Sequence, residues 1–203
     1  MGDGERSRAL LAWNSSVIRL FLMRRVAERR WPKGITMANK TNFTAEEWGR
    51  VLSSPMVAGI AITAADPSGV WGILKEGMAG ARALLDARQN AQAIPLVKAI
   101  AEDFGTTEGR SAAQSALQSR MMGKSASGLK DAALAELRAV SEIVDAKAPD
   151  DAAGFKAWLQ DVAQKAAEAG TEGGFLGFGG VAVSDAEKST IAEISSALTR
   201  RTA

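Results

Sequence analysis

The stretch VLSSPMVAGIAITAA, residues 51–65, carries no charged side chain. A surface helix keeps one polar face in water, and this stretch has none to offer, so the rest of the chain has to wrap it. At fifteen residues, diluted by Ser, Thr and Gly, it falls short of the roughly 20 apolar residues of a membrane-spanning helix. It reads as the central helix of an all-α bundle. Pro55 suits a first helical position, which places the helix start at Ser53 or Ser54. Asp66-Pro67-Ser68-Gly69 has the chemistry of a tight turn and ends it.

Outward from this helix, the flanking segments repeat helical spacing and none alternates as a strand does. Thr44-Ala45-Glu46-Glu47 is a capping box with Phe43 and Trp48 at the staple positions, and it sets a helix start at Thr44. Residues 70–89 place Trp71, Leu74, Met78, Ala81 and Leu85 on one face. Gly72, Gly77 and Gly80 within them each cost about 1 kcal/mol relative to Ala. Close approach to the small residues Ala58, Gly59, Ala61, Ala64 and Ala65 offsets that cost better than a cofactor groove would.

Further helices are expected over 90–104, with Pro95 in the first turn and Gly105 as the stop, and from Thr106 or Thr107 to Gly123. After a loop at 125–128, residues 129–148 bury Leu129, Ala133, Leu137, Val140 and Val144. Asp131, Arg138, Glu142 and Asp145 take the opposite face. Pro149 opens a helix that buries Phe155, Trp158, Leu159, Val162 and Ala166, with Asp150 and Asp151 at the positive end of its dipole. A second capping box, Ser184 with Glu187, starts the last helix, whose stripe is Ile191, Ile194 and Leu198. The expectation is one bundle domain of seven or eight helices over 37–203, preceded by an arm over 1–36.

The arm and the body differ in charge. Residues 1–36 hold eight basic and three acidic side chains, a net of +5, whereas the 17 basic and 20 acidic residues that follow leave the body at −3. The body has no basic stripe, so nucleic acid is not an expected partner. The arm fits poorly as a secretory signal, because Arg19 interrupts its apolar region and the Arg cluster follows that region. Two readings stand for it. Residues 6–30 can form a basic amphipathic helix lying on an acidic membrane surface, or the natural start is Met37 and the arm is not translated.

Cys, His and Tyr are all absent. This removes disulfides and thiolate sites, Ser-His-Asp and Cys-His nucleophiles, imidazole-bound metals and the Glu-x-x-His di-iron pattern. It suits a cytoplasmic address. No catalytic residue and no cofactor is assigned, and a non-enzymatic role is expected ahead of an enzymatic one. Carboxylates alone can hold calcium or magnesium. Asp66, Glu76, Glu102, Asp103 and Glu108 lie near helix ends or apolar faces but lack EF-hand spacing, and solvated or capping acids describe them better. The twin helix exits Gly105-Thr-Thr-Glu-Gly and Gly170-Thr-Glu-Gly-Gly read as anion nests, as an old duplication, or as coincidence in a Gly- and Ala-rich chain.

The segment GTEGGFLGFGGVAV, residues 170–183, has six Gly in its first eleven positions, more than a helix stop requires. No phosphate-loop pattern fits it. Phe175, Leu176 and Phe178, spaced by Gly177 and Gly179, either tuck over the bundle end or are presented to a protein partner, which includes a second copy of the chain.

In FTAEEW, AADPSG, FGTTEGR and GGFLGFGGVAVSDAEK the body resembles an uncharacterised group of all-helical bacterial proteins, a resemblance that implies an all-α fold and carries over no functional residue. Residues 180–187 alone resemble the turn and helix start of tellurite-resistance-type helical proteins, which bind metal through acids. Gly179-Gly180 stands where that pattern has Asp-Gly.

Overall fold

Six α-helices and one short 3-10 turn make up the elements seen in the computed structural model, which describes residues 38–65, 84, 87, 93–171 and 183–199. They are the 3-10 turn Lys40–Asn42, then α1 (Ala45–Thr63), α2 (Pro95–Phe104), α3 (Thr107–Met121), α4 (Ala126–Lys147), α5 (Pro149–Thr171) and α6 (Asp185–Thr199). Among the described residues there is no strand. The arm, the tight turn at 66–69 and the glycine segment 172–182 lie outside the described residues. So does the face expected over 70–89, of which Leu84 and Ala87 are described, both helical and buried.

The capping box at Thr44 forms as expected. Thr44 Oγ1 accepts from the Glu47 N–H (3.2 Å), and Glu47 Oε2 accepts from the Thr44 N–H (2.8 Å). Phe43 and Trp48 close the staple, with ring centroids 5.4 Å apart. These contacts orient the chain into α1, and along its second half almost every residue is buried: Val51, Leu52, Ser53, Ser54, Pro55, Val57, Ala58 and Gly59. Each of the other five helices packs against α1. Gly49 allows α3 to come close, since a Cβ there would sit 3.2 Å from the Ala112 carbonyl oxygen.

The expected break at Ser53 does not occur. One helix runs from Ala45 to Thr63 through Pro55, so α1 carries Glu46, Glu47 and Arg50 as well as the uncharged run. Proline at position 55 removes the N–H that would bond the Val51 carbonyl. The Ser54 hydroxyl donates to that same carbonyl (2.7 Å), and the Ser53 hydroxyl donates to the Arg50 carbonyl (3.0 Å). Ser54 thus supplies locally the bond that the proline takes away, and the helix continues.

Two other boundaries shift. Described helix before Phe104 begins at Pro95, its first position, because the residue preceding a proline is driven to extended backbone; Ile94 has φ −61° and ψ 152°. Of the loop expected at 125–128, residues 126–128 are already helix, since the Ser125 hydroxyl oxygen accepts from the Gly128 N–H (3.2 Å) and caps α4.

The remaining faces follow the expected stripes. Ala133, Leu137, Val140 and Val144 of α4, Phe155, Leu159, Val162 and Ala166 of α5, and Ile194 and Leu198 of α6 are fully buried or nearly so, while Leu129, Trp158 and Ile191 are half-buried at the margins. Ser184 and Glu187 form the second capping box, with Ser184 N–H to Glu187 Oε2 at 2.8 Å and Glu187 N–H to Ser184 Oγ at 3.2 Å.

Candidate functional site

Three groups of polar side chains reach between helices, and Lys156 of α5 further pairs with Asp145 of α4 at 2.7 Å. The first joins α1, α3 and α4. Arg50 grips Glu136 with both arms of its guanidinium, Nε to Oε1 at 2.7 Å and Nη2 to Oε2 at 2.9 Å. Glu136 is only 6% exposed. Arg120 of α3 stands 3.9 Å from the same carboxylate and pairs with Glu46 of α1 at 2.9 Å. The hydrogen bonds to Glu136 hold the Arg50 guanidinium above its ordinary value, against an opposing push from burial. At the helix start, the bond from the Thr44 backbone N–H holds the Glu47 carboxyl below the usual range, and Lys147 approaches it from α4 at 3.8 Å.

The second group lies at the α2–α3 corner. Asp103 Oδ2 accepts from the indole N–H of Trp48 (2.6 Å), and Lys40 lies 3.3 Å from the same carboxylate. One turn on, the Thr106 hydroxyl donates to the Asp103 carbonyl (2.7 Å) and accepts from the Gly109 N–H (2.9 Å), capping α3. A Cβ on Gly109 would overlap the Asp103 carbonyl, so the corner closes only around glycine.

The third consists of helix ends capped from neighbouring helices. The N-cap residue of α2, Ile94, has no side chain able to bond the orphan N–H groups. Asp151, in the first turn of α5, accepts from the Leu96 N–H (3.2 Å). Burial pushes the Asp151 carboxyl up, and Asp150 adds to the rise, while backbone N–H groups of Leu96 and Ala38 oppose it. In the same way the Ser141 hydroxyl of α4 donates to the Leu198 carbonyl (2.7 Å), one of the last carbonyls of α6. Lys130 with Glu193 (2.9 Å) and Gln160 with Ser195 (3.1 Å) fasten α6 to α4 and α5.

Of the five acids weighed against a cation site in the sequence and read rather as solvated or capping acids, Asp66 and Glu76 lie outside the described residues. Glu102 and Glu108 are exposed, and Asp103 is engaged by Trp48 and Lys40. Among the described residues no three acidic side chains converge as a cation site needs. Phe175, Leu176, Gly177, Phe178 and Gly179, expected from the sequence to meet a partner, also lie outside the described residues.

Glu136 and Arg50 went unnoticed in the sequence, although a signal for Glu136 was there. It falls three residues after Ala133 and four before Val140, on the edge of the buried stripe, where a carboxylate requires a partner.

What the three groups do chemically is hold helices together. Arg50–Glu136, Trp48–Asp103, Leu96–Asp151 and Leu198–Ser141 each join two different helices and satisfy a polar atom that burial would otherwise leave costly. Comparison of the chain with protein-family models, with curated proteins and with solved structures found no match. No helix among the described residues is long and apolar enough to cross a membrane.

Proposed function

We propose that this is a non-enzymatic cytoplasmic helical protein that acts by associating with another protein or with a second copy of itself. The observation that supports this reading is the engagement of the polar interior: Arg50, Glu136, Asp151 and Ser141 are each bonded to a group on a neighbouring helix. Burial would make such side chains chemically useful, and these four are committed to the architecture. The reading takes the body as a bundle of seven or eight helices about the uncharged run 51–65. Its mild acidity suits a protein partner better than nucleic acid.

The contact is assigned to the glycine-spaced apolar residues Phe175, Leu176 and Phe178, a composition suited to presenting side chains from a loop. Sedimentation velocity of the full chain over a wide concentration range tests self-association. Reconstitution of the purified chain with a protein isolated from the native cell tests the other partner. A complex of defined stoichiometry by either route supports the proposal; a monomer at every concentration that re-forms no complex overturns it.

A further inference from the structure

We draw no further inference here: the strongest candidate, the half-buried guanidinium of Arg138 on α4, whose buried Nε finds no acceptor among the described residues, carries nothing because nothing in the structure shows which anion or partner would cover it.

Discussion

Asp151 Oδ2 accepts a hydrogen bond from the Leu96 backbone N–H at 3.2 Å, so a carboxylate in the first turn of α5 caps the N-terminus of α2. Loss of an N-cap acceptor costs about 1 kcal/mol, and an unsatisfied buried donor raises that to about 1–3 kcal/mol. Asp151→Ala is expected to fall in this range in urea unfolding. Asp151→Asn keeps a carbonyl acceptor and is expected to cost less.

The pH dependence of that difference has a defined sign. The folded state holds the Asp151 carboxyl above its ordinary value, so its contribution is fully present below the unfolded pKa and is lost as pH rises through the folded one. The stability of the native chain relative to Asp151→Asn is therefore expected to decline as pH rises from the ordinary Asp value through the raised folded one, and to level off above. A difference that grows with pH contradicts the assignment. Glu47 acts in the opposite sense, its contribution being lost as pH falls through its lowered folded value.

Ser54→Ala removes the donor that satisfies the Val51 carbonyl beside Pro55, leaving a buried acceptor unbonded at a cost of about 1–3 kcal/mol. In a Pro55→Ala background the restored N–H at position 55 can bond Val51 instead, and the same serine substitution is expected to cost much less. Denaturant unfolding of the four proteins in this cycle measures the coupling. Additive effects would show that the serine and the proline act independently.

At the α2–α3 corner, Gly109→Ala forces a methyl group against the Asp103 carbonyl. Alanine in place of a helical glycine ordinarily stabilises by up to about 1 kcal/mol. Here the sign is expected to reverse, with a loss on the order of 2 kcal/mol as backbone shifts to relieve the overlap. A melting temperature at or above that of the native chain contradicts the described corner.

The parts of the fold legible in the sequence are those decided within a few residues of each other. Both capping boxes, the staple of Phe43 on Trp48, and the apolar stripes of α4, α5 and α6 are local patterns, and each forms where the spacing placed it. The misreadings have physical causes. Pro55 reads as a helix start because the rule for proline omits what Ser54 does for the freed Val51 carbonyl. Gly128 looked like loop because the cap at Ser125 reaches it from three residues away. Contacts between distant segments, such as Arg50 with Glu136 or Asp151 with Leu96, require the folded topology and leave little trace in local spacing. Residues 175–179 lie outside the described residues, and the expectation for them rests on composition.

Removing one member of a buried ion pair leaves the other uncompensated, so Glu136→Ala is expected to destabilise by about 3 kcal/mol or more. Arg50→Ala is expected to cost somewhat less, since Arg120 stands 3.9 Å from the same carboxylate. Replacing both partners together, Arg50→Met with Glu136→Leu, is expected to restore stability close to that of the native chain, because the desolvation penalty goes with the pair. Melting curves of the three variants measure this.

The proposed division between an architectural interior and an associating segment at 175–179 is tested most directly by titrating the reconstituted complex, hetero- or homo-oligomeric, with two variants of the full chain. The Arg50→Met, Glu136→Leu double variant is expected to bind as the native chain does, since those residues only hold helices together. Phe178→Ala is expected to abolish binding while changing stability by less than about 0.5 kcal/mol, as surface substitutions do. The reverse result, loss of binding in the folded double variant and native binding by Phe178→Ala, would contradict the account.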